Sequence, residues 1–150
     1  MDQDALVELT EAAGYRAFGV EDAIRRFGSA SKSALPGRLD LTPVDKALSY
    51  VQLEISMPHG AQGPSQLDGI QIGTRQPFEV SLREFEQRWG PLRTLLWHAP
   101  KPGPDLAFTF HGAEVETQVI LQPSRIYEKG DRSIPVNGLI VRRFPPSGGG

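Results

Sequence analysis

Three histidines, His59, His98 and His111, are the side chains of this 150-residue chain best suited to proton transfer or metal binding near neutral pH. None has a second histidine or an acid at the helical spacing that paired metal ligands need. They read as surface or strand-edge residues. There is no cysteine, so disulfides, thiolate catalysis and Cys-ligated zinc are all excluded. No glycine pattern fits a phosphate loop or a dinucleotide fold, and no Gly-x-Ser-x-Gly elbow occurs. The acids Glu21, Asp22, Glu84 and Glu86 fall at expected helix starts and on solvated faces. An enzyme would have to assemble Asp, Glu or His through its fold, because nothing local specifies a site. The expectation is no catalytic residue, no cofactor and no metal.

Recognition chemistry is better represented. Trp97-His98 stands directly before the proline-rich run Ala99-Pro100-Lys101-Pro102-Gly103-Pro104. Trp, Tyr and Arg are the usual anchors of protein interfaces. Leu95, Leu96 and Trp97 are consecutive, so alternation does not decide whether Trp97 points into the core. Tyr50, Gln52 and Glu54 line the polar face of an alternating strand, and Tyr127 lies beside Ile126 in a charged loop. The candidate protein-binding residues are therefore Trp97, His98, Tyr50, Gln52 and Tyr127. The net charge of −2 carries no basic stripe, so nucleic acid is not the expected partner. No apolar run reaches the length of a membrane span. The acidic start, Met1-Asp2-Gln3-Asp4, has no apolar core of a signal peptide, so the expected compartment is the cytoplasm. The expected partner is another protein.

These residues must be held by local elements. Ser81 and Glu84 have the spacing of a capping box, with Leu82, Phe85 and Trp89 at i, i+3 and i+7 behind them. Gly90 and Pro91 stop that helix. An earlier stretch, Gly19 to Gly28, repeats the pattern, with Asp22 for Glu84 and Phe27-Gly28 for Trp89-Gly90. Leu67-Asp68-Gly69-Ile70-Gln71-Ile72 has an echo in Val136-Asn137-Gly138-Leu139-Ile140-Val141. Two landmarks in the same order imply a tandem duplication. A further helix is expected over 5–13, capped by Asp2 or Asp4 and stopped by Gly14. Thr42-Pro43-Val44-Asp45 predicts a single helical turn. Residues 29–38 read as an irregular connection with room for a short edge strand.

Strands are expected over 49–57, 70–74, 93–98, 106–110, 115–122 and 139–144, from alternation and turn residues. Asp68-Gly69 and Asn137-Gly138 predict tight turns. With 39% hydrophobic and 23% charged residues, the chain suits one soluble α+β domain: short helices on one face of an antiparallel sheet. The expected organisation is an N-terminal helix and first helix-plus-sheet repeat over 1–76, a second repeat over 77–144, and a flexible tail over 145–150.

A short helix ending in aromatic-Gly or aromatic-Gly-Pro before three or four antiparallel strands resembles a known unit. It is similar to the repeat of the β-lactamase inhibitor proteins and of the BamE-type small outer-membrane lipoproteins. Leu82, Phe85, Trp89, Gly90, Pro91, Trp97, Phe108 and Phe110 carry the resemblance, which spans about residues 18 to 144. It implies one continuous sheet that grips a partner protein on its open face. The chain departs from those families in lacking their signal peptide, lipid-attachment cysteine and disulfide cysteines. The expected function is a non-catalytic protein-binding module, with an inhibitor or an immunity-type protein as its concrete form. The alternatives are a small enzyme or ligand-binding domain with a helix–sheet pocket, and a structural subunit of a larger assembly.

Overall fold

Alternation of apolar and polar residues dominates the chain, and it builds one eight-stranded antiparallel sheet. The computed structural model describes residues 1–31, 36–56, 66–96 and 103–144. Helices α1 (Gln3–Ala13) and α2 (Val20–Phe27) precede strands β1 (Gly28–Ser31), β2 (Arg38–Pro43), β3 (Leu48–Ser56) and β4 (Gln66–Ser81). Helix α3 (Leu82–Trp89) then precedes β5 (Arg93–Leu95), β6 (Asp105–His111), β7 (Glu116–Pro123) and β8 (Ser133–Phe144). The strand order is β1-β2-β3-β4-β8-β7-β6-β5, with every pairing antiparallel. The fold is α+β, with helices packed against the sheet. No described helix is long and apolar enough to cross a membrane.

Two straight rows of side chains cross six strands on the helix side. One runs Leu39, Leu53, Ile70, Val141, Val119, Phe108 and the other Leu41, Val51, Ile72, Leu139, Leu121, Leu106. Period-two alternation along each strand, kept in register, produces such rows. Leu6, Leu9, Ala23, Phe27, Leu82, Phe85 and Trp89 of the helices join them in one core. Each fully buried Leu, Ile or Phe contributes about 1.5–3 kcal/mol. In the second half the core is aromatic: Phe85 meets Trp89 and Phe108 with ring centres 4.7 and 5.9 Å away, and Trp89 stacks on Phe110 at 5.2 Å.

The helix ends match the local signals, with one change in α3. Asp2 caps α1 by accepting from the Ala5 N–H, and Ser81 caps α3 by accepting from the Glu84 N–H. The Ser81 N–H does not donate to Glu84, as a capping box requires. It donates to Gln3 Oε1 at 2.7 Å, and the Gln3 amide nitrogen donates to the Glu84 carboxylate. The start of α1 thus completes the cap of α3, and the two helices are tied together. Arg143 fastens the other end of α1. Its guanidinium donates to the carbonyls of Tyr15, Phe18 and Leu67, and burial lowers its pKa against a smaller opposing effect of Asp68.

Four local expectations are corrected. Thr42-Pro43 is not a helical turn. It ends β2, with Pro43 opposite Gly28, and the missing proline N–H is tolerated at the strand end. Asp68-Gly69 is not a turn but lies inside β4. Asn137-Gly138 is likewise inside β8, which runs unbroken from Ser133 to Phe144. The strand expected over 70–74 does not end there, because β4 continues to Ser81.

Candidate functional site

The second face of the sheet carries none of the described helices. Its residues are the alternate set on each strand, and they too form rows. The central row is Asp40, Gln52, Gln71, Ile140, Ile120 and Ala107. Its first three members are polar. The last three are apolar and buried, and Leu95 packs against them as a small second cluster.

The polar side chains of this face are tied to one another. Glu54 on β3 and Arg142 on β8 pair at 3.1 Å although β4 runs between them. Gly69 is the β4 residue they cross, and a Cβ there would press on both, at 3.1 Å from the Glu54 carboxylate and 3.2 Å from Arg142 Cγ. The Val141 carbonyl would be nearer still, at 3.0 Å, and this crowding together favours glycine inside a long strand. Arg38 holds Asp40 at 3.0 Å, and Gln118 donates to Thr109 at 3.3 Å.

Tyr50 is the aromatic side chain of this array. Its ring lies across Gly73, where a Cβ would overlap it, and its hydroxyl accepts from the Gln71 amide at 3.3 Å. An aromatic ring laid over a cross-strand glycine is fixed before any partner arrives, which lowers the entropy cost of using it in binding. Gly73 pairs with Gly138, and the Gln122 side chain covers Gly138 in the same way. Beside this glycine pair is a groove of about 580 Å³, walled by Tyr50 and Thr74 on one side and by Gln122 and Pro123–Ile126 on the other.

Tyr50 and Gln52 of the sequence candidates are thus brought onto one face, two positions apart on β3. Trp97 and His98 lie outside the described residues. Tyr127 is elsewhere: half-buried, it packs against the helix-side core and shares a cleft of about 550 Å³ with Arg83, Glu86 and Gln87 of α3. His111 is exposed at the end of β6, and His59 is outside the described residues. Among the described residues no group of three His, Asp or Glu side chains could hold a metal ion. Sequence reasoning missed Gln71, Gly73, Gln122, Gly138 and Arg142. Gln71 had a usable signal, since it alternates between Ile70 and Ile72. The two glycines had none, because their role is set by side chains on neighbouring strands.

Near the groove, Arg125 is fixed by three acceptors: the Asp131 carboxylate at 2.9 Å and the carbonyls of Ile126 and Ser133. The hydrogen bond from Arg125, with a second from the Glu128 N–H, holds the Asp131 carboxyl below the usual carboxylate range and raises Arg125 above its own. No family model, curated protein or solved structure matches this chain.

Proposed function

We propose that this protein is a non-catalytic binding module that holds another protein against its open sheet face. The observation that carries this reading is the polar half of the second sheet face, which carries none of the described helices and on which Tyr50 is fixed over Gly73. An inhibitor or immunity-type protein acting in the cytoplasm is the concrete version, by the resemblance to the β-lactamase inhibitor proteins. That version rests on fold analogy.

A tandem duplication belongs to the same proposal, and the strand registers support it. Gln71 and Ile140 pair with each other at the centre of the sheet and stand 69 positions apart, the separation of the two echoing segments. Gln52 pairs with Gln71 and Ile120 with Ile140, a separation of 68. Asp40 and Ala107 come next, 67 apart, and then Ser31 and Arg93, 62 apart. That last separation is the one between Phe27-Gly28 and Trp89-Gly90 at the helix ends. Carrying one offset across the ladders therefore arrives at the other.

The test is differential capture. The wild-type chain and a Gln52→Arg/Gln71→Arg double variant are immobilised in lysate of the native host, and bound proteins are quantified by mass spectrometry. A stoichiometric protein retained by wild type and lost by the variant, with unchanged circular dichroism, is the expected result. Co-purification of a metabolite with no partner protein would refute the reading.

A further inference from the structure

Among the described residues the sheet has four interruptions of register, and three of them meet at one place. They lie between Leu48 and Tyr50, between Gly73 and Phe78, and between Gln122 and Pro123. Bulges bend strands, release residues from the ladder and re-aim side chains, and they gather next to functional sites. The groove beside the Gly73–Gly138 pair is built on these three interruptions. Its volume of about 580 Å³ is in the range of sites that take a drug-sized ligand, which leaves room for a side chain together with part of the chain that carries it.

We propose that this groove is the specificity pocket of the open face, and that it receives an uncharged amide side chain, Asn or Gln, on an extended segment of a protein partner. The proposal rests on the binding reading above and adds the chemistry of what is bound. The lining holds one formal charge, on Arg125, and that guanidinium is already paired with Asp131. An incoming carboxylate would meet no unspent cation there, and an incoming ammonium no carboxylate of the lining. Either charge would leave water for a neutral wall, which is unfavourable. The remaining polar lining is hydroxyl and amide: Ser49, Tyr50, Thr74, Gln122, Ser124 and Asn137. The Thr74 and Ser124 hydroxyls already donate to the carbonyls of Gln76 and Pro135 and are left as acceptors, while the Gln122 and Asn137 amides both donate and accept, as an incoming amide side chain does, so the two match without transferring any charge. The segment is extended because the groove lies over β4 and β8, inner strands with no free edge, and an extended chain crossing it from the Tyr50 wall to the Gln122 wall presents alternate side chains to the floor.

Nuclear magnetic resonance titration of the full chain tests this. The probes are capped pentapeptides, Thr-Gln-Thr-Gln-Thr and its counterparts with Glu or Lys at both Gln positions. The Gln peptide is expected to move the amide resonances of Gly73, Ser124 and Asn137, with affinity about tenfold above either charged peptide. Asn137→Asp should lower that affinity about tenfold, while Glu86→Gln in the separate α3 cleft leaves it unchanged. Equal response to all three peptides, shifts confined to other regions, or the same shifts with a neutral oligosaccharide and none with peptide would each overturn the proposal. Loss of the captured partner in the Gln52→Arg/Gln71→Arg variant, with no peptide response at the groove, refutes the pocket assignment and leaves the binding reading standing. A peptide response at the groove with no partner captured does the reverse.

Discussion

The half built from α2 and β1–β4 and the half built from α3 and β5–β8 agree on one side of the sheet and disagree on the other. On the helix side, positions that correspond through the registers are all apolar: Leu41 and Phe108, Val51 and Val119, Leu53 and Leu121, Ile70 and Leu139. On the open side, Asp40 and Gln52 of the first half correspond to Ala107 and Ile120 of the second. Packing constrains the first set in the same way twice. Nothing in the packing of the helices constrains the second set, so the two halves are free to differ there. The first half presents a wet, hydrogen-bonded face with Tyr50; the second presents a small apolar floor and a heavier aromatic core.

That contrast is broken most strongly in the core. Phe85 is fully buried and touches two further aromatic rings, whereas Phe27 is 6% exposed and has Arg26 over its ring at 5.7 Å. Truncating a buried Phe costs about 3–5 kcal/mol. Phe85→Ala should fall at the top of that range and Phe27→Ala at the bottom, by urea denaturation. Equal losses would mean that the two helices are held alike, and the asymmetry of the core would have no energetic weight.

The glycines that end α2 and α3 sharpen the comparison. Both have positive φ, 148° at Gly28 and 98° at Gly90. A Cβ at Gly28 would overlap the Thr42 carbonyl on β2, while a Cβ at Gly90 meets nothing within 4 Å. Gly90→Ala therefore adds backbone strain alone, about 1–3 kcal/mol, because φ 98° with ψ −163° is a region that only glycine occupies readily. Gly28→Ala adds displacement of β2 to the same kind of strain, about 1–3 kcal/mol more. Thermal melts that rank the two in the opposite order would show that β1 is not held by β2 as the register implies.

Signals that act over a few residues were legible in the sequence. Asp2, Ser81, Gly14, Phe27-Gly28 and Trp89-Gly90 marked the helix ends, because caps and stops are local chemistry. Alternation around Val51 and Leu53 placed Tyr50 and Gln52 on the polar face. Glycines chosen by neighbouring strands were not legible. Gly69 is crowded by the Val141 carbonyl and the Glu54–Arg142 pair, and Gly138 by Gln122, but Asp-Gly and Asn-Gly look locally like turns. The groove was invisible for the same reason, since it is made by three register shifts and not by any contiguous motif. Gln3 as part of the α3 cap was equally out of reach, being 78 positions from Ser81.

Capping gives a smaller contrast. The Ser81 hydroxyl accepts from the Glu84 N–H at 3.2 Å, whereas Gly19 supplies no side chain and α2 relies on Asp22, which accepts from the Gly19 N–H at 2.9 Å. Ser81→Ala should cost about 1 kcal/mol, and Gly19→Ser should gain only a few tenths of a kcal/mol, roughly, since glycine is already a fair N-cap. Denaturation midpoints separate these. A gain at Gly19 as large as the loss at Ser81 would show that α2 is limited by its cap and not by its packing.

The smallest effect concerns how a connection is fastened. Residues 124–132 join β7 to β8 and are pinned by Arg125 and Asp131, while the whole β3–β4 connection, 57–65, lies outside the described residues. Asp131 is held below the usual carboxylate range, first by the hydrogen bond from Arg125 and then by the Glu128 N–H. A carboxyl depressed in the folded state contributes stability above its unfolded pKa, and that contribution fades as pH falls through the folded one. The loop should therefore keep its Arg125–Asp131 contact at neutral pH and lose it only in acid, below the range where exposed aspartates protonate. Carboxyl carbon titration by nuclear magnetic resonance reads this directly: Asp131 should titrate below the usual carboxylate range, and Arg125→Gln should move it back towards that range. If Asp131 titrates within the usual range in the wild-type chain, the pin is absent in solution, and the wall of the groove that it supports is not preset.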